Sequence, residues 1–309
     1  MNKKISYLLF LVATVIWGFA FVWQKEASII PAFTVGAMRS IFATVFLLAI
    51  IPLTDRITNN QRRLFSKKTF LDFNRAELIG GGVLGVILTA ATAFQQIGLE
   101  DTDAGKAAFI TALYVVIVPI FSAILGKKPQ INSIVCVIIA VVGFYFLCIK
   151  PGVGVEPSDL LVLVCALIFA CHIIAVDRLS VGADGTRMSC VQFATATILN
   201  GILALIFDTR PNPSAMMEAL PSLLLLGILS SGIAYTLQII GQKQIEPTMS
   251  SIMLSLEAVF GTIGGAIVLK ERMLVREYIG CAIVFVAVII SQVDVISLIK
   301  SRKRANKDN

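Results

Sequence analysis

One carboxylate in this 309-residue chain lies where ionised groups are costly. Glu257 stands about ten residues into an apolar run, roughly 15 Å deep at 1.5 Å per helical residue. On insertion scales an acid at that depth in hydrocarbon costs about 2.5–3.5 kcal/mol, so it needs a partner, water or a proton. Its helical face reads Ser250, Met253, Glu257, Gly261, Gly264. These mostly small residues suit close contact with another helix. Two readings stand: a site for a solute amine or a proton, or a structural acid joining helices.

Other polar groups sit at similar depth. Ser231, Tyr235, Gln238 and Gln242 are spaced 4, 3 and 4 apart, which puts them on one helical face. Thr89, Thr92 and Gln96 form a second such face, with Gln95 adjacent. Such side chains line a path for a polar solute or tie helices together. Trp17 and Tyr114 lie at mid-depth in their runs and offer stacking or cation–π attraction to an amine, with plain packing as the alternative. Phe169 suits lining or core equally. His172, the only histidine, follows it by three residues on the same face and suits a proton relay or a hydrogen-bonded packing role. Arg39 lies eight residues inside Pro31, about 12 Å from that end. A cation there needs a carboxylate, carbonyls or water, and it either attracts an anionic solute group or latches spans. Lys106 opens a run and reads as a surface charge. Gly81-x-x-x-Gly85 and Gly261-x-x-x-Gly265 read as close-packing seams.

These residues are placed by ten apolar runs: Ile5–Gln24, Pro31–Leu53, Ala76–Ile97, Ala104–Leu125, Ile131–Ile149, Ser158–Val176, Met188–Phe207, Ala219–Gly241, Thr248–Leu269 and Val275–Val293. Roughly 20 residues match the ~30 Å hydrocarbon layer. The chain is 57% apolar and 15% charged, and its mean hydropathy is +0.88. That leaves too little polar surface for a water-soluble globule. Continuous runs, not short alternating strands, select helices over a barrel. The expected fold is an all-α integral membrane protein. Pro31, Pro129, Pro157, Pro211, Pro213 and Pro221 are expected at run ends, where a missing N–H is harmless. The first run lacks an A-x-A-like site and is read as retained.

Lys and Arg divide 18 to 7 between alternate connections, with Arg39 inside a run. That bias predicts both termini in the cytoplasm, in a cytoplasmic (inner) membrane. The loop 54–75, with Arg62-Arg63 and Lys67-Lys68, and the tail Lys300–Arg304 fit an inner lipid surface. Topology therefore explains the net charge of +7 without nucleic acid. The six cysteines form no C-x-x-C pair and read as apolar packing; no metal or other cofactor is called for.

The second half repeats the first. An offset of 143 residues lays Gln95 on Gln238, Gly98 on Gly241, Tyr114 on Glu257 and Lys127-Lys128 on Lys270-Glu271. An offset of 152 lays Ile16-Trp17-Gly18 on Ile168-Phe169-Ala170, and one of 153 lays Ala43-Thr44 on Ala196-Thr197. Five spans is an odd number, so the halves (1–150 and 151–300, then a basic tail 301–309) must insert upside down relative to each other. Tyr114 and Glu257 are then expected to face each other across the pseudo-axis.

Val15-Ile-Trp-Gly-Phe-Ala-Phe-Val22, Met38-Arg39, Ser255-Leu-Glu-Ala-Val259 and Leu269-Lys-Glu-Arg272, in that order, resemble the EamA-like family of the drug/metabolite transporter superfamily. The resemblance covers essentially the full chain. It departs at Ala258, where the family often has Pro, and at Gly126-Lys-Lys-Pro129, where Gly-Glu is common. It implies a secondary carrier for amino acids, related amines or drugs, with export as the expected direction. A small-molecule solute, membrane lipids and protons are the implied partners, and monomer and homodimer both fit. The sequence has no G-x-x-x-x-G-K-[ST], H-E-x-x-H or G-x-S-x-G, which argues against ATP hydrolysis and against a membrane enzyme. The remaining competitor is a structural or receptor-like membrane protein.

Overall fold

The computed structural model describes residues 3–57, 72–126, 131–148, 156–270 and 274–292, and these are all-helical. The helices are α1 Lys3–Ala27, α2 Ala32–Ile57, α3 Arg75–Leu99, α4 Ala104–Ile124, α5 Ile131–Cys148, α6 Pro157–Leu179, α7 Gly185–Phe207, α8 Pro213–Gln242, α9 Pro247–Val268 and α10 Val275–Gln292. Eight are long and apolar enough to cross a membrane; α5 and α10 hold shorter apolar stretches, Ile131–Gly143 and Tyr278–Ile290. The basic pairs at 62–63, 67–68 and 127–128 and the tail lie outside the described residues.

Local chemistry sets the helix starts. Asn74 and Glu77 form a reciprocal capping box on α3, their side chains satisfying two backbone N–H groups at 2.8 Å each. Pro157, Pro213 and Pro247 open α6, α8 and α9, where a proline forfeits no helical bond. Because α8 begins at Pro213, Pro221 falls inside the helix and not at its end as the sequence suggested.

Three helices are irregular where they matter. α4 breaks at Leu113 and α9 at Ser255, with nearly the same backbone there, ψ −13° and −12°. Both values are tighter than α-helical and close to 3₁₀. Tyr114 directly follows one break, and Glu257 lies two residues beyond the other. In α8, Leu226–Ala234 winds as a π-helix, a rare form that is frequent at functional sites.

Packing follows a paired pattern. α2 lies along α7 and α5 along α10; α3 packs on α6 and α7, while α8 packs on α1 and α2. Small residues permit the closest approaches. An ideal Cβ on Gly18 of α1 would come within 2.3 Å of Phe260 Cβ on α9, so only glycine fits there. Gly81 and Gly85 meet the α7 backbone in the same way. We call the end of the bundle where α1 starts the near end, and the opposite one the far end.

Candidate functional site

A cavity opens among α1, α2, α3, α4, α6, α8 and α9, with about 450 Å³ of empty space that includes its opening to solvent. Trp17, Arg39, Gln95, Tyr114, His172, Tyr235, Gln238 and Glu257 all line it. Ser231 does not; it stands behind Arg39. Most of the lining falls into counterpart pairs under the sequence offsets: Trp17 with Phe169, Ala20 with His172, Gln95 with Gln238, Thr111 with Leu254, and Tyr114 with Glu257.

Tyr114 Oη donates to Glu257 Oε1 at 2.9 Å, buried between the two broken helices. The bond joins α4 to α9 and gives the acid a neutral partner, leaving Oε2 available to a ligand. Trp17 packs against Tyr235, not Tyr114, with ring centroids 4.7 Å apart, and its Nε1 donates to the Ser230 carbonyl at 3.3 Å. His172 and Phe193 also pack edge-on against Tyr235, so the tyrosine ring is fixed on three sides. His172 Nε2 pairs with Gln192 Oε1 at 3.2 Å.

Among the described residues the guanidinium of Arg39 is held by neutral oxygens: Nη1 donates to Gln24 Oε1 at 2.7 Å, Nε to Ser231 Oγ at 3.1 Å and Nη2 to Ser230 Oγ at 3.2 Å. The wide π turn brings two successive serines to one guanidinium, which the spacing of a regular helix disfavours. From Gln24 the chain of bonds runs to Gln95 and on to Thr111, at 3.2 Å each. Gln24, Ser230 and Thr111 carry this network, and sequence reasoning missed them. Gln24 looked like a boundary residue, and Ser230 is one position off the stripe of Ser231, Tyr235 and Gln238.

Other expectations resolve differently. Thr89 and Thr92 turn back onto their own helix at Gly85 O and Leu88 O, and Gln96 ties α3 to the end of α1, so Gln95 alone of that group reaches the cavity. Gln242 accepts from Gln238 Nε2 at 3.5 Å and donates to Ile173 O at 2.5 Å, but it does not line the cavity. Lys106 is not a free surface charge; it pairs with Asp159 at 2.6 Å, linking the starts of α4 and α6.

The profile of the EamA-like transporter family matches residues 4–149 and again residues 157–292. This chain belongs to that family. An uncharacterized transporter of Archaeoglobus fulgidus is 29% identical to this EamA-like transporter over 80% of this chain and 79% of its own. The uncharacterized transporter YoaV of Bacillus subtilis is 21% identical over 88% and 91%. A crystal structure with TM-score 0.71 and 17% identity, covering 94% of this chain and 97% of its own, shares the fold. The EamA-like chain is thus a multi-pass membrane transporter whose cavity lies among its apolar helices.

Proposed function

We propose that this protein is a secondary carrier that moves small metabolites, amino acids or related amines and drugs, outward across the cytoplasmic membrane. Ten spans form two inverted five-helix repeats, 1–150 and 151–300, with both termini in the cytoplasm. Alternating access follows from rocking one repeat against the other around a fixed central site.

The observation that carries this reading is the composition of the cavity wall. Residues 143 or 152 positions apart face each other across one space, as they do when a site straddles a pseudo-two-fold axis. The double match of one family profile and the paired helix packing support the same duplication. Glu257, Tyr114, Trp17, Tyr235, Gln238 and Gln95 form the solute site in this reading, with Ser231 supporting it from behind. Glu257 is the coupling acid, and Arg39 and His172 are the remaining polar controls.

The test is flux in liposomes loaded with a labelled amino-acid and metabolite mixture, with and without a pH gradient, beside Glu257→Gln. Saturable flux driven by the gradient and abolished by the substitution is expected. Flux indifferent to both leaves an exchanger or uniporter with Glu257 structural. No flux for any solute points first to a substrate class outside the mixture, and second to a structural or receptor-like role.

A further inference from the structure

Arg39 is almost wholly buried, 5% exposed, in a cavity wall that also holds a carboxylic acid. Among the described residues no carboxylate lies within ion-pair distance of it, and its partners are an amide oxygen and two hydroxyls. A guanidinium has five N–H donors. Three are used here, one on each nitrogen, so Nη1 and Nη2 each keep one. Paired guanidinium N–H groups match a carboxylate's two oxygens, and these two are the donors left for such a ligand.

The duplication makes the charge pattern asymmetric. An offset of 153 lays Arg39 on Gln192, and one of 143 lays Glu257 on Tyr114. Each counterpart is neutral. Apart from His172, the lining thus has one cation, contributed by the first half, and one acid, contributed by the second. Three neutral acceptors from α1 and α8 fix the cation in place, and Tyr114 fixes the acid. Neither satisfies the other directly.

We propose that Arg39 is the anion subsite of this cavity: it takes the carboxylate of the solute while Glu257 and Tyr114 take the amine, so the carried molecule is a zwitterion of amino-acid type. This rests on the carrier reading and narrows it. Amines and cationic drugs without an acid group leave Arg39 uncompensated and bind poorly. Acids without an amine leave Glu257 facing a second negative charge. The Ser230–Ser231 pair positions the guanidinium, and substitution there weakens the subsite without removing its charge.

The experiment compares each common amino acid with its methyl ester and its decarboxylated amine. Binding to the purified protein is read by tryptophan fluorescence, and flux is read in liposomes. Wild type is expected to prefer an amino acid over its ester by about ten- to a hundredfold, the worth of a charge-assisted pair. In Arg39→Gln that preference ratio collapses to near one, and in Arg39→Lys it recovers in part. Esters and amines bound as well as amino acids by wild type overturn the proposal, whether or not the variant folds. So does binding of no member of the panel, or a ratio that survives Arg39→Gln. Carboxylate-dependent binding without flux upholds the subsite and overturns the carrier reading instead.

Discussion

The two ends of the α2–α7 pair are built on one plan with different donors. The offset of 153 that lays Thr44 on Thr197 also lays Thr34 on Arg187 and Asp55 on Asp208. At the near end, Arg187 donates through Nη1 and Nη2 to the two oxygens of Asp55, at 2.7 and 2.6 Å, with its side chain fully buried. At the far end, Thr34 donates its N–H and its hydroxyl to Asp208 Oδ2, at 2.6 and 2.7 Å. One contact occurs twice, with the carboxylate kept and the donor exchanged. A buried fork of charges need add little net stability over apolar packing, yet parting it takes two buried ions out of their bidentate contact. A hydroxyl and an amide at the half-exposed far end can turn to water instead. The far end is therefore the readier to separate. In the proposed orientation it faces outward, so on the carrier reading the outward side is expected to open more readily than the inward side.

Three substitutions test that difference. Asp55→Ala removes the bidentate carboxylate from the buried Arg187, on which Asp184 and Glu77 also act, and is expected to cost about 3 kcal/mol, the low end for a broken buried pair, read as a lowered unfolding midpoint in detergent. Asp208→Ala removes the acceptor of two half-exposed bonds and is expected to cost about 1–2 kcal/mol; equal losses at the two ends would break the comparison. Thr34→Arg sharpens it by giving the far end the near end's donor. With Ala20→Cys in the cavity wall as reporter, in a background stripped of other cysteines, labelling by an impermeant thiol reagent from outside is expected to slow about three- to fivefold. An unchanged rate would detach these contacts from access.

Run length and spacing placed every helix that reaches the cavity, because the length of a spanning run is set by the bilayer and not by tertiary detail. Glu257 and Tyr114 were legible for two reasons: polar groups at mid-depth are expensive, and the repeat supplies each with a counterpart. What escaped was decided by packing. The Leu113 and Ser255 breaks carry no proline or glycine, and nothing in Leu226–Ala234 marks a π turn in advance. Reading α8 at regular spacing put Ser231 on the cavity face, whereas the wider winding hands it with Ser230 to Arg39. Thr89 and Thr92 misled for another reason. A hydroxyl can satisfy itself on its own helix, so its presence on an inward face does not commit it to a solute.

At mid-membrane the hydroxyls of Thr44 and Thr197 stand 3.5 Å apart, each also bonded to its own helix. On the proposed duplication these are one ancestral position meeting itself. A dimer of identical, oppositely inserted copies imposes such self-encounters along its axis. Threonine survives them because a neutral hydroxyl can turn its one proton to its own helix or to its partner. An acid does not, since two carboxylates brought together cannot both ionise. On the same reading, a glutamate facing a tyrosine at the centre becomes possible only once the two copies are joined in one chain and no longer obliged to match.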